Sequence, residues 1–202
     1  VQTCALPIYA LLSAVFGNSS YLGQTILYHL DFTIALCRDG PDSTFRAVLD
    51  KLWSEQRGAT DRSTLMSALR QAKRRIALLI ALADMANLWP LRRITEALSE
   101  FAAIALRLSC RYLLRHAAQA KRLKLSDPEN PELESGLIIL AMGKLGGGEL
   151  NYSSDIDLIV LFDPEKQQDT DPAELQPTFV RLARDLVAIM AERTADGYVF
   201  RT

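Results

Sequence analysis

LIILAMGKLGGGELNYSSDIDLIVLF, residues 137–162, sets two apolar runs around a glycine cluster and places two aspartates at the head of the second run. LIILAM, 137–142, is short, rich in branched residues and bounded by glycine on both sides, which predicts a buried strand; IDLIVLF, 156–162, reads the same way. Period two along such a strand puts Asp155 and Asp157 on one face and Ile156 on the other. Two neighbouring carboxylates repel and are costly to bury unpaired, so they call for a cation between them, protonation of one, or a place at the sheet rim. A hard divalent cation suits them. Magnesium binds through one or two carboxylates and keeps its other positions for water and phosphate oxygens, which makes phosphoryl or nucleotidyl transfer the natural chemistry.

The glycines supply the second half of the reasoning. Gly143-Lys144-Leu145-Gly146-Gly147-Gly148 directly follows the first strand, and Glu149 to Tyr152 is expected to open a short helix. Glycines let backbone amides approach a phosphate closely, a helix N-terminus adds a favourable dipole, and Ser154 can donate a further hydrogen bond. Neither GxxxxGK[ST] nor GxGxxG is present. Taken singly, a glycine cluster between strands is an ordinary tight turn and Asp-x-Asp a capped strand edge; their joint order and spacing point to a nucleotide site.

Upstream, from about Tyr9 to Lys124, the pattern is helical. Leu65, Leu69, Ala72, Ile76, Leu79 and Ala83 recur at spacings of four and three, one face of a helix that Asp61 or Ser63 can cap. Trp89-Pro90 breaks the pattern, and Ile94, Leu98, Phe101, Ala105, Leu108 and Tyr112 restart it, so an antiparallel helical hairpin is expected. Shorter helices are expected around 21–38 and 43–57, parted by Asp39-Gly40-Pro41. SDPENPELESG, 126–136, reads as a polar linker. Downstream, Phe179, Leu182, Leu186 and Ile189 trace another amphipathic helix ended by Asp196-Gly197, and YVFR, 198–201, begins a third strand. The expected organisation is a helical segment 9–125, a linker 126–136 and a strand-bearing core 137–202, an α+β class.

The bulk composition fits this. The chain has 202 residues, 49% hydrophobic and 23% charged, enough for a sizeable core. A formal net charge of −1 hides an uneven distribution: 12 Lys/Arg against 3 acids between Arg70 and Lys124, and 15 acids against 6 bases from Asp127 onward. Such a basic helical part can steer an anionic partner, or simply carry solvated arginines and lysines. Cys4, Cys37 and Cys110 form no CxxC pair or even framework, which suits a reducing, cytoplasmic compartment. His29 and His116 stand far apart without metal-ligand spacing. The longest apolar helical run, IALLIALA at 76–83, is far short of a membrane span. No membrane or nucleic-acid partner is expected.

VQTCALPI, 1–8, lacks an initiator Met and a signal-peptide pattern. It resembles the in-frame translation of a sequencing-adaptor oligonucleotide, and is expected to be a scar outside the fold.

The motif from Leu145-Gly146-Gly147 through a short spacer to Ser154-Asp155-Ile156-Asp157 resembles the signature of the DNA polymerase beta-like nucleotidyltransferase superfamily. MGKLGGGELNYSSDIDLIVLF, with FGNSSYL (16–22), WPLRRITEALSEFA (89–102) and DGYVFR (196–201), is more narrowly similar to the glutamine synthetase adenylyltransferase family. That family carries two nucleotidyltransferase units in one long chain, and ELNYSSDIDLI resembles the N-terminal, adenylyl-removing unit more than the adenylyl-adding one. The resemblance implies a nucleotidyltransferase-type mixed sheet with flanking helices, cut off at its third strand.

It implies phosphorolysis as well: inorganic phosphate attacks the AMP-tyrosine linkage of adenylylated glutamine synthetase, releasing free tyrosine and ADP, and so regulates nitrogen assimilation. On this resemblance Asp155 and Asp157 hold Mg2+, Gly146 and Gly147 position the nucleotide phosphate, and Ser154 assists, while Glu149 and Lys144 match family positions without an assigned role. Glutamine synthetase, ADP or ATP and phosphate are the implied partners, together with signalling regulators whose site no residue here marks. The superfamily's third carboxylate falls just beyond Arg201-Thr202, so the isolated chain is expected to be weak or inactive. ATP-dependent adenylylation and a non-catalytic regulatory binding module are the alternatives.

Overall fold

The computed structural model describes residues 5–168 and 170–202. Asp61 starts the central helix: its carboxylate accepts the Ser63 hydroxyl at 2.6 Å and the Thr64 N–H at 2.7 Å, which draws its pKa down to about 2 and makes it the N-cap. Helix α5 (Arg62–Met85) is followed by Asn87, whose positive φ of 54° turns the chain, and Pro90 leads into α6 (Leu91–Gln119). The apolar stripes read from sequence face each other, with Leu65, Leu69, Ile76 and Leu79 of α5 and Phe101, Ala105 and Leu108 of α6 at most 1% exposed.

Four shorter helices wrap this pair: α1 (Ala5–Asn18), α2 (Ser20–Tyr28), α3 (Leu30–Asp39) and α4 (Pro41–Gln56). The single helix expected over 21–38 is two, because the chain leaves helical geometry at His29 (φ −120°, ψ 46°). Gly40, at φ +80°, and Pro41 separate α3 from α4 as expected. Of the 1–8 segment, residues 1–4, including Cys4, lie outside the described residues, and Ala5 to Ile8 belong to α1.

Beyond α6 come β1 (Leu137–Ala141), a one-turn helix α7 (Gly143–Gly146), β2 (Leu158–Phe162), a 3-10 turn (Pro164–Gln167) and α8 (Pro172–Ala191). The α+β class holds, but the expected mixed sheet is an antiparallel pair among the described residues, in register Ile139 opposite Val160. The segment expected as a third strand, 198–201, makes one backbone hydrogen bond toward the second apolar run, Ile156 N–H to Arg201 O at 2.9 Å, and is not a strand. Nor are the strands fully buried. Leu137, Ile139, Leu158 and Phe162 pack on the core, with Phe162 stacked at 4.7 Å on Phe179 of α8, whereas Ile138, Leu140, Ile159 and Leu161 are 42–47% exposed. The alternation follows from period two with helices on one side only.

The segment 126–136 is fastened to the helices. Arg111, 3% exposed, pairs with Glu132 at 2.6 Å and donates to the Glu129 carbonyl, while Gln167 bridges Lys124 and Ser135. Part of the charge asymmetry is thereby internal complementarity: Arg74 with Asp196, and Arg107 and Arg111 with Glu132, join the basic and acidic stretches.

The strongest such link is Arg70, 1% exposed. Its guanidinium donates to Gly197 O (2.8 Å), Met66 O (2.9 Å), Glu192 O (2.6 Å) and Ile189 O (3.2 Å), joining α5 to the end of α8 and the turn after it. Lys73, one turn on, donates to Val199 O and lies 4.5 Å from the Tyr198 ring centre and 4.9 Å from that of Phe200. Burial, with Arg201 and Arg70 nearby, brings its pKa from 10.5 down to about 8.

Two outcomes follow. Arg70→Met orphans three carbonyls contributed from outside α5 and is expected to lower stability by about 3 kcal/mol in urea melts; a change within experimental error contradicts the clamp. Lys73 is depressed in the folded chain, so between about pH 8 and 10.5 the unfolded chain binds more protons and this group's contribution to stability rises with pH. Stability relative to Lys73→Met should therefore climb across that window and be flat below it.

Candidate functional site

The glycine cluster, where a short helix or a turn is expected, forms the one-turn helix, and the stretch 149–152, expected as helix, is irregular. The reason lies in the glycines. Gly148, at φ +70°, lets α7 close in a Schellman arrangement, with Gly148 N–H on Leu145 O at 3.1 Å and Glu149 N–H on Lys144 O at 2.7 Å. The N–H groups of Gly146 and Gly147 donate to Met142 O and Gly143 O, both at 3.1 Å, so what these two positions offer a ligand is closeness of backbone. Gly146 has no alternative: a Cβ there would lie 2.4 Å from Ala141 O. A cleft of about 690 Å³ lies between this turn and the start of α6, lined by Arg92, Glu96, Gly147 and Gly148 among others.

From the glycines to β2 the chain is pinned by two apolar residues. Leu150 is fully buried and its N–H donates to Ser99 Oγ on α6 at 3.2 Å; Ile156 is 1% exposed and tied to Arg201 O. Between them an exposed turn is shaped by Ser154, whose hydroxyl accepts the Asn151 N–H at 3.1 Å and donates to Asn151 Oδ1 at 2.7 Å. Tyr152 reaches back to Asp84 of α5 at 3.2 Å; burial and that carboxylate push the phenol pKa up.

With Ile156 turned inward, Asp155 and Asp157 on either side are exposed, as the spacing predicts, although β2 itself begins only at Leu158. Asp155 Oδ1 meets Arg201 Nε at 2.6 Å, and Arg201 Nη2 also donates to Ser153 O at 3.1 Å. Asp157 is held by its carbonyl, which accepts Met142 N–H at 2.8 Å, and its carboxylate overhangs the start of α7: a Cβ on Gly143, at φ +54°, would lie 3.2 Å from Asp157 Oδ2. The two features read separately from sequence are thus brought into contact. Asp155, Asp157, Gly146, Gly147 and Ser154 all fall on the connection between β1 and β2, with Gly146 and Gly147 at the far end of α7 from Asp157.

This donor set fits a hard divalent ion. It offers two solvent-facing carboxylates, and no group of three or more His, Cys, Asp or Glu side chains gathers among the described residues. An ion that keeps most of its positions for water and phosphate oxygens matches that supply; one needing a closed protein cage does not. Arg201, Ser99 and Asp84 were not singled out from sequence. Ser99 and Asp84 sit in helical runs where nothing marks them, and Arg201 ends an apolar segment whose pattern predicts only a strand.

A family model described as glutamate-ammonia ligase adenylyltransferase matches residues 9–202. Among similar proteins, the bifunctional glutamine synthetase adenylyltransferase/adenylyl-removing enzyme of Bradyrhizobium sp. strain BTAi1 is 46% identical over 82% of this chain and 17% of its own length. Those of Bradyrhizobium sp. strain ORS 278 and Brucella suis biovar 1 are 42% and 41% identical over 95% and 94% of this chain and 20% and 19% of theirs. The chain therefore spans about a fifth of the length of these curated relatives. No helix among the described residues is long and apolar enough to cross a membrane.

The glycine geometry yields a ranking. Gly146→Ala drives a Cβ into backbone and is expected to cost about 3 kcal/mol, whereas Gly148→Ala meets open space and should cost only about 1–2 kcal/mol for its left-handed φ. Chemical denaturation of both variants checks the order, and a reversed order contradicts it.

Proposed function

The chain belongs to the glutamate-ammonia ligase adenylyltransferase family, and on that premise we propose that it contributes the metal and nucleotide site of a unit that removes AMP from adenylylated glutamine synthetase by phosphorolysis. The observation that carries this reading is the placement of Asp157 against Gly143, with Asp155 exposed two residues before it: the aspartate loop abuts the start of the glycine helix. ELNYSSDIDLI favours the removing direction, since its wording resembles that unit, and the names of the relatives cover both directions.

In this reading an oxygen of inorganic phosphate attacks the phosphorus of the AMP group. A new P–O–P bond forms, the bond from phosphorus to the tyrosine oxygen breaks, and the phenolate takes a proton, giving ADP and free tyrosine. Asp155 and Asp157 would hold Mg2+, which when bound supplies positive charge to the phosphate oxygens. The chain's own contribution is placement. Leu150 and Ile156 fix the two ends of the loop, Ser154 holds its turn, and Gly146 and Gly147 present exposed backbone for a phosphate to approach. Glutamine synthetase is the protein substrate on this reading, and phosphate and ADP the small partners.

Calorimetric titration with ADP tests it. In Mg2+ the chain should bind ADP, and Asp155→Asn/Asp157→Asn should weaken binding by about tenfold or more, a loss of ~1.4 kcal/mol; equal affinity in the double variant contradicts the site. Direction is read separately in the full-length parent protein, by incubating it with adenylylated glutamine synthetase and labelled phosphate, and with unmodified glutamine synthetase and labelled ATP. Label entering ADP supports removal, and label entering glutamine synthetase supports adenylylation instead.

A further inference from the structure

Arg201 is tied to the aspartate loop at three points. Its carbonyl accepts Ile156 N–H at 2.9 Å, its Nη2 donates to Ser153 O at 3.1 Å, and its Nε meets Asp155 Oδ1 at 2.6 Å. The first is backbone and buried with Ile156; the last joins side chains 61% and 55% exposed. The guanidinium is therefore delivered to the carboxylate pair by a rigid tether, yet its ion pair is of the solvent-exposed kind that contributes little and exchanges readily. Its Nη1 has no protein acceptor among the described residues. A planar donor fork with a free edge, held against Asp155 on the loop that also carries Asp157, matches the oxygens of a phosphate.

We propose that Arg201 is an exchangeable counter-ion of Asp155 that also serves as the phosphate-binding residue of this site: it neutralises Asp155 when no divalent cation is present, and gives its donors to a phosphate group when Asp155 is taken by the cation. The proposal rests on the metal-site reading above. It assigns two opposite effects to one side chain. Arg201 competes with a cation for Asp155 and cooperates with an anion, so removing it must strengthen one affinity and weaken the other. A residue that merely holds the loop weakens both.

Arg201→Gln keeps the backbone bond to Ile156 and removes the charge, and Arg201→Lys keeps the charge without the planar fork. Mn2+ affinity, followed by electron paramagnetic resonance of the free ion, should tighten by about two- to fivefold in Arg201→Gln. In saturating Mg2+, the same variant should bind inorganic phosphate or AMP about tenfold more weakly in calorimetric titrations, and Arg201→Lys should fall between it and the wild type. A loss confined to inorganic phosphate assigns Arg201 to the attacking phosphate, and one confined to AMP to the nucleotide; either supports the proposal. Mn2+ affinity that is unchanged or weaker in Arg201→Gln overturns it, as do phosphate and AMP affinities that both stay unchanged. Should the wild type bind Mn2+ no better than Asp155→Asn/Asp157→Asn, the metal-site reading fails and this assignment with it, a result distinct from a metal-binding wild type with an unresponsive Arg201 variant.

Discussion

A buried guanidinium organises the second half of this protein. Arg70 lies inside the interface between α5, the end of α8 and the turn at Gly197, where its donors are taken up by four carbonyl oxygens. Burying a cation is costly unless such partners are supplied, and three of the four come from chain segments about 120 residues away, so the guanidinium ties α5 to the far end of the chain. Once α8 and the following turn are fixed, the N–H groups of Val199 and Phe200 close on Met190 O, and Arg201 arrives beside Ile156 and Asp155. The aspartate loop is thus built from the helical bundle outward.

The same bundle holds the loop from its other side. Leu150 enters the helices beside Ser99, and Tyr152 reaches Asp84, so the carboxylates occupy the exposed crest of a loop whose feet are buried. That division suits a site for charged ligands. Side chains that must exchange between protein, cation and phosphate face water, while the parts that fix their position do not. The glycine helix completes it: a Cβ at position 146 would fall 2.4 Å from Ala141 O, and one at 143, where φ is already +54°, would crowd the Asp157 carboxylate.

Much of this was legible in sequence. The heptad-like spacing of Leu65 to Ala83 and of Ile94 to Tyr112 depends only on local periodicity, and those helices formed as read. Asp155 and Asp157 stand out in sequence because two acids beside an apolar run violate the expected pattern, and what the structure adds is that both are exposed. What failed was non-local. The break at His29 has no glycine or proline to announce it, and the apolar segment at 198–201 looks like a strand although Lys73 and Met190 take its backbone groups instead. The glycine cluster leaves a short helix or a turn open in sequence, because a Schellman closure after a single helical turn carries the composition of both. Arg70 and Arg201 were invisible for a plainer reason: a basic residue on a helix or at a strand end is ordinary until its partners are known.

The dependence of the aspartate loop on the buried arginine is directly measurable by amide hydrogen exchange at Ile156. In the wild type this N–H is bonded to Arg201 O and should exchange slowly, in step with Val199 and Phe200. In Arg70→Met all three should exchange much faster, while core amides of α5 and α6 such as Leu79 and Leu108 keep their protection. An Ile156 amide that stays protected in that variant after Val199 and Phe200 have opened would contradict the account.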